Sequence, residues 1–196
     1  TGYYTLNLSR RQYAGRKGEG IAEFRNPQNE LGIGPLASGG GGGINHNGGG
    51  GGGSNMGAGG NGGDEYESDT RNCLRDASGL GGKRLNRENG LRIFLGGGGG
   101  AGHENNNGAS SGGNGGGIII IKANKIEGNG LGIISNGQQG VDKVGVFGGI
   151  GGNDGQGGGG AGGSIKIDCN NFGTSALSIS VDGGNGNSLN APKHGP

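Results

Sequence analysis

The sequence predicts an all-β fold in which short antiparallel strands are interleaved with a bundle of glycine-rich, polyproline-II-type helices, without an α-helical core. Glycine supplies 60 of the 196 residues, against about 7% in an average protein. Most of it lies in three tracts at 39–63, 96–117 and 148–163. Short runs with the composition or alternation of strands lie between the tracts. No segment has a convincing helical period, so no α-helical core is expected.

Two interpretations of the glycine tracts compete. Tracts of glycine and serine ordinarily behave as flexible linkers. Alternatively, the tracts form packed polyproline-II helices, which have three residues per turn and no internal hydrogen bonds, so that their N–H and C=O groups point outward. Only glycine lets neighbouring backbones come close enough to bond to each other laterally. The packed bundle is the favoured interpretation, because strand-like segments hold the ends of each tract.

The N-terminal region, residues 1–38, contains two weak strand signals. Leu6 and Leu8 form the first, and Ile21 and Phe24 form the second. These two apolar pairs predict two further strands near the start of the chain.

Stronger strand signals flank the second and third tracts. Residues 91–95, just before the second tract, predict one strand. Residues 118–123, just after it, form an apolar, β-branched run that is typical of a strand buried on both faces. Residues 164–168 alternate cleanly after the third tract, and residues 177–181 alternate leucine, isoleucine and valine with serine, which predicts a half-buried strand.

An internal repeat relates these strands at an offset of 46 residues. Gly116–Ile121 aligns with Gly162–Ile167, and at the same offset Ile133 aligns with Ile179. The repeat predicts two similar strand pairs, at 118–147 and 164–190. Together with the tracts they make residues 1–196 a single glycine-rich module, which we expect to be a fragment of a longer chain.

Composition excludes several classes of function. The hydrophobic residues, at 27% of the chain, are too few to fill the core of an ordinary enzyme of this length. A net charge of +1 gives no electrostatic reason to expect nucleic acid as a partner. No apolar stretch approaches the roughly 20 residues that a membrane-spanning helix needs. We therefore expect no enzyme activity, no nucleic-acid partner and no membrane insertion.

The sequence contains two cysteines, Cys73 and Cys169, and a disulfide between them is one of two alternatives. A bond between them would close a loop of roughly 95 residues, worth about 4–5 kcal/mol in the chain-entropy model. It would also indicate an oxidising compartment. Two unpaired thiols are equally compatible with the sequence.

One acidic cluster provides the weak candidates for a metal site. Asp64, Glu65, Glu67 and Asp69 could offer oxygen ligands to Ca²⁺, which takes six to eight of them. Their spacing fits no calcium loop, so a solvated loop is the favoured interpretation. The G-x-G-x-x-G match at Gly57–Gly62 lacks the strand and helix of a dinucleotide site. We expect no cofactor and no catalytic residues.

The sequence around the second and third tracts resembles a known kind of module. The runs from Arg92 through His103, Gly112 through Lys122, and Gly157 through Ile167 are similar to glycine-rich modules of large secreted Bacteroidetes cell-surface proteins. Those proteins include gliding-associated adhesins exported by the type IX secretion system. A looser similarity, at Leu91–Gly100, is to the glycine-rich domain of anaplastic lymphoma kinase, where glycine helices lie between strands. Phage tail-tip adhesins also use glycine helices.

The resemblance implies an extracellular, non-enzymatic surface module and transfers no catalytic residue. The first functional hypothesis is a structural and adhesive module, with loops such as residues 64–89 presenting a surface to a glycan or protein ligand. A second is a type IX secretion substrate or passenger held by its translocon. A third is a glycan- or ice-binding module, including the phage tail-tip type.

Overall fold

A computed structural model of the chain describes residues 15–21, 34–44, 47–63, 78–86, 92–103, 109–141 and 154–186. Over these residues there is no α-helix, which confirms the prediction that an α-helical core is absent. None of them forms a helix with the length and apolarity to cross a membrane. The regular structure of the described residues consists of four strands: β1 (Ile118–Ile126), β2 (Gly132–Ile134), β3 (Ser164–Phe172) and β4 (Ser178–Ser180).

The strands pair in parallel, so the prediction of antiparallel strands is wrong. β1 pairs with β3 in one two-stranded sheet, and β2 pairs with β4 in another. Ile118 lies opposite Ser164, and Ile133 lies opposite Ile179. Each pair is separated by 46 residues, the offset of the sequence repeat. Hydrogen bonds between strands therefore join one repeat unit to the other, and the two strands within a unit do not pair.

The glycine segments that precede β1 and β3 explain this parallel arrangement. Segment 109–117 leads into β1, and segment 154–163 leads into β3. The two segments run side by side in the same direction, so both strands begin already aligned. Parallel pairing also needs a long crossover, which the rest of each repeat unit supplies. The aligning bonds run from the N–H groups of Ser110, Gly113 and Gly116 to the carbonyls of Gly155, Gly158 and Ala161.

A tight turn reverses the chain between β1 and β2. Asn129 and Gly130 have positive φ angles of 49° and 77°, and Leu131 N–H donates to the carbonyl of Gly128 at 2.8 Å. Positive φ at both central residues is the pattern of a type I′ turn, for which Asn-Gly is a preferred sequence.

Two predicted strand features are absent from the structure. Residues 92–95 form no strand, because the Phe94 carbonyl accepts hydrogen bonds from side chains instead of a ladder. β1 is not buried on both faces, since Ile118 and Ile120 are 38% and 65% exposed. The run of four isoleucines conceals this alternation in the sequence, because both faces of the strand are apolar.

The interior contains backbone and small side chains in place of a hydrophobic core. Among the described residues, the buried apolar side chains are three alanines, Ala101, Ala109 and Ala161. The largest fully buried side chains are polar: Asp154, Ser38, Ser54 and Ser110. Packing of large apolar groups therefore does not hold these segments together, and their backbone hydrogen bonds must do so.

Those hydrogen bonds change partner with a period of three residues. In segment 48–54, successive N–H groups donate in turn to segment 57–63, to segment 154–160 and to segment 38–44, and the cycle then repeats. The six bonds measure 2.8–2.9 Å and are Gly49 to Gly63, Gly50 to Gln156, Gly51 to Gly41, Gly52 to Gly60, Gly53 to Gly159 and Ser54 to Ser38.

Segment 96–103 has the same period. One set of its N–H groups donates to segment 109–117, and the next set donates to segment 48–54. Every third carbonyl accepts from segment 154–163. The donors are Gly96, Gly99 and Gly102 for the first set and Gly97, Gly100 and His103 for the second, and the accepting carbonyls are those of Gly97, Gly100 and His103.

At many glycines the segments lie too close together to leave room for a side chain. A Cβ atom placed on Gly99 would lie 1.9 Å from the Gly158 carbonyl oxygen, and one on Gly53 would lie 1.9 Å from that of Gly97. Among the described glycines, Gly130 alone has φ in the left-handed region. Most of these glycines are therefore required because neighbouring backbones approach closely. They are not required for a backbone conformation that only glycine adopts easily.

Candidate functional site

The predicted metal candidates and one of the two cysteines lie outside the described residues. Asp64, Glu65, Glu67 and Asp69 belong to this group, as does Cys73. Within the described ranges, no three His, Cys, Asp or Glu side chains are grouped as a metal site. Cys169 lies on β3, where its thiol donates to the carbonyl of Asn171 at 2.8 Å. A disulfide between Cys169 and Cys73 stays one of the two alternatives that the sequence leaves open.

Residues 64–89, predicted as a loop that presents a binding surface, are described only over 78–86. That part lies against glycine segments. The N–H groups of Gly79 and Gly82 donate to the carbonyls of Gly49 and Gly52 at 2.8 Å. Gly79 and Gly82 therefore belong to the hydrogen-bonded interior, whereas Leu80, Lys83 and Arg84 are exposed. The rest of the predicted loop lies outside the described residues, and its binding role stays a prediction.

Asn55 joins three parts of the chain at the start of β3. Its side-chain Nδ2 lies 3.0 Å from the Gly162 carbonyl, 2.9 Å from the Gly163 carbonyl and 3.3 Å from the Phe94 carbonyl. Ser164 Oγ donates to the same Phe94 carbonyl at 2.8 Å. The buried amide thus holds the point where a glycine segment becomes a strand. Sequence reasoning gave no signal for it, because Asn55, between Ser54 and Met56, belongs to no recognisable motif.

Lys17 is a buried cation beside the glycine segments. It is 6% exposed, and its Nζ donates to the Gly34 carbonyl. Together with Leu36, Ile21 and several glycines, it lines a cavity of ≈ 10 Å³, room for about one water molecule. Burial lowers the pKa of Lys17 from 10.5 to about 8, because desolvation disfavours the charged form.

The depressed pKa predicts a stability that depends on pH. Between about pH 8 and 10.5 the unfolded chain binds more protons at Lys17 than the folded chain, so the free energy of unfolding should rise with pH across that window. Lys17→Met should remove this rise, and urea unfolding of both proteins at several pH values measures it. Equal pH dependence in the two proteins would contradict the assignment.

The exposed side of the paired strands carries polar side chains in register. Asn170 Nδ2 donates to Asn124 Oδ1 at 2.9 Å, and Asp182 N–H donates to Asn136 Oδ1 at 2.9 Å. Both pairs join positions 46 residues apart. Because the two units stack in register, polar groups at equivalent positions of the two units hydrogen-bond to each other.

Apolar side chains are also exposed on this strand region. Ile120 is 65% exposed, Leu131 70% and Ile134 61%. We call the exposed faces of β1–β4, with the segments 135–141 and 181–186 that follow β2 and β4, the strand surface. Its other exposed large apolar residues are Ile118, Val141, Phe172, Ile179 and Val181.

No family model, no curated protein and no solved structure matches this chain.

Proposed function

We propose that the glycine tracts are polyproline-II-type helices packed into a bundle that is interleaved with the strands. A helix with three residues per turn directs successive N–H groups about 120° apart, toward three neighbours in turn. The three-residue period of partners along segments 48–54 and 96–103 supports this helix. Close contacts such as Gly99 to Gly158 support lateral packing of backbones.

On that scaffold, the function that fits best is a non-enzymatic structural and adhesive module of a secreted or cell-surface bacterial protein. The observation that carries the proposal is the in-register stacking of the two repeat units, which pairs Asn124 with Asn170 and leaves apolar side chains of the strands exposed. A rigid surface loses little conformational entropy when it binds a ligand. The favourable contacts with the ligand then do not have to offset a cost of ordering the site.

An extracellular location and a glycan or protein ligand follow from the same proposal. The resemblance of the tract-and-strand runs to modules of secreted surface proteins supports the location. The net charge of +1 favours neither nucleic acid nor an anionic membrane as the partner. Carbohydrate recognition uses amide groups such as those of Asn124 and Asn170, and the exposed Phe172 lies on the same strand as Asn170.

The test is binding of the purified chain to a glycan array and to cells that carry the matching glycans. The double variant Asn124→Ala/Asn170→Ala should lose the binding while keeping the thermal unfolding midpoint of the parent, since both side chains are exposed. A matched control is Asn185→Ala, exposed on the strand surface but outside the Asn124–Asn170 pair.

Three results would contradict the proposed adhesive function and favour a different one. Failure to bind any glycan or cell, together with capture by type IX secretion components, would favour the passenger alternative. Thermal hysteresis of ice growth would favour an ice-binding module. Turnover of a hydrolase or transferase substrate that a point mutation abolishes would show that the chain is an enzyme.

A further inference from the structure

The two repeat units meet along a directional edge. Segment 135–141 of the first unit donates three N–H groups to segment 181–186 and the end of β4 in the second unit. This edge continues the parallel pairing of β2 and β4 beyond the strands. The bonds run from Ser135 to the Ser180 carbonyl, from Gly137 to that of Asp182 and from Gly140 to that of Asn185, at 2.8–2.9 Å.

The second unit repeats these donors at the same positions on its outer side. Val181, Gly183 and Gly186 lie 46 residues after Ser135, Gly137 and Gly140, and all three are exposed. Among the hydrogen bonds of the described residues, none uses the N–H groups of this later set. The second unit therefore carries, on its outer side, a row of N–H donors that is free within the described residues and equivalent to the row that joins the first unit to the second.

The first unit presents the complementary acceptors at the opposite end of the stack. Ile134, Asn136 and Gln139 lie 46 residues before the three accepting residues and are exposed. In the described part of the chain, the Asn136 and Gln139 carbonyls accept no hydrogen bond. In the parallel register of β2 with β4, the Ile134 carbonyl points away from β4. One end of the stack therefore offers donors, and the other offers acceptors at matching spacing.

We propose that a second copy of this chain binds at this edge, head to tail. The N–H groups of Val181, Gly183 and Gly186 donate to the carbonyls of Ile134, Asn136 and Gln139 of the second copy. The interface continues the contact between the two units within one chain, with the same register and the same polarity. It does not depend on the adhesive function proposed above.

Side chains at the edge favour the same partner. Asn170 donates through Nδ2 to Asn124 within the chain, and its Oδ1 is placed to accept from Asn124 of the second copy, which extends the amide ladder. The exposed fractions of side chains at this edge also favour a second copy as the partner. Ile179 and Val181 are 51% and 45% exposed, whereas Ser135, the counterpart of Val181, is 6% exposed beneath the second unit. The second copy would cover this outer layer.

The geometry has a consequence for the size of the assembly. A head-to-tail interface uses different surfaces on the two partners, so each added copy leaves a new donor edge free. Unpaired N–H and C=O rows are templates for such addition. We therefore expect open-ended growth that rises with protein concentration, and not a closed symmetric dimer.

The decisive variant is Gly183→Pro. Proline removes the N–H group and places its ring where the second copy would bind. The site tolerates a side chain within the chain, since the nearest atom to a Cβ at Gly183 is 3.6 Å away. In sedimentation velocity, the parent chain should grow in mass with concentration, whereas Gly183→Pro should stay at the 19.0 kDa of one chain. Its thermal unfolding at low concentration should match that of the parent.

Added to the parent chain, Gly183→Pro should also shorten the assemblies, because it keeps the acceptor end and lacks the donor end. Val181→Lys is a second variant that blocks the edge with an exposed charge. Gly137→Pro is the matched control inside the chain, and it should destabilise folding because the Gly137 N–H is bonded. A parent chain that stays monomeric up to its solubility limit would overturn the proposal. So would folded Gly183→Pro and Val181→Lys proteins that associate as the parent does.

Discussion

Replacing Gly99 with alanine is expected to lower the free energy of unfolding by about 3 kcal/mol or more, at the upper end of what overpacking costs. The added Cβ would lie 1.9 Å from the Gly158 carbonyl oxygen, which belongs to backbone and cannot rotate away. Relief requires two glycine segments to separate, and separation lengthens hydrogen bonds on both. Urea unfolding at equilibrium measures the loss.

Gly60→Ala is the matched control in the same kind of tract. No atom lies within 4 Å of a Cβ at Gly60, and its φ is not in the left-handed region. Alanine there should stabilise the protein by about 0.4–1 kcal/mol, because it restricts the unfolded chain. If both variants unfold at the same urea concentration as the parent, the tracts are not closely packed and behave as linkers.

Amide hydrogen exchange should show protection that depends on position within a tract. In segment 96–103, the bonded amides of Gly97, Gly99 and Gly100 should exchange at least about 10³-fold more slowly than in a free peptide, if they open only in global unfolding. A linker gives no such protection, because its amides bond to water.

Segment 57–63 supplies the internal comparison. Gly59 and Gly62 donate to the carbonyls of Gly82 and Gly79, so their amides should be protected. Gly60 and Gly63 donate no hydrogen bond within the described residues and should exchange quickly. Uniformly fast exchange over both segments would reject the bundle, and uniform protection of segment 57–63 would reject the three-residue period.

Much of the architecture could be predicted from the sequence. The lack of helical periodicity predicted the absence of an α-helical core. The apolar run at 118–123 and the alternation at 164–168 identified β1 and β3, although both strands extend further than predicted. The repeat offset of 46 residues equals the offset between paired residues in both sheets. The internal repeat therefore identifies which strands pair and in which register.

The direction of pairing could not be predicted in the same way. β1 and β2 are joined by the short Asn129–Gly130 turn, which locally favours an antiparallel hairpin. The parallel alternative depends on glycine segments 109–117 and 154–163 lying side by side, and this contact is made between backbones. Glycine has no side chain, so its sequence carries no periodicity from which a neighbour can be inferred.

The candidate surface was also beyond sequence reasoning, for a related reason. Asn124, Asn136 and Asn170 resemble the other asparagines of a glycine-rich chain until the register aligns them. Lys17 resembles a solvated surface lysine, as its neighbour Arg16 does, and only the surrounding backbone buries it. The roles of these residues come from three-dimensional alignment and not from local residue type.

The interior of glycine, alanine and serine also determines how stability varies with temperature. The heat capacity of unfolding rises with exposed apolar area and falls with exposed polar area. Unfolding of the described segments exposes mainly peptide groups, because their buried apolar side chains are three alanines. The heat capacity increment per residue is therefore smaller than in proteins with a hydrophobic core, and the stability curve is flatter. Such a scaffold loses little stability on cooling and resists cold denaturation.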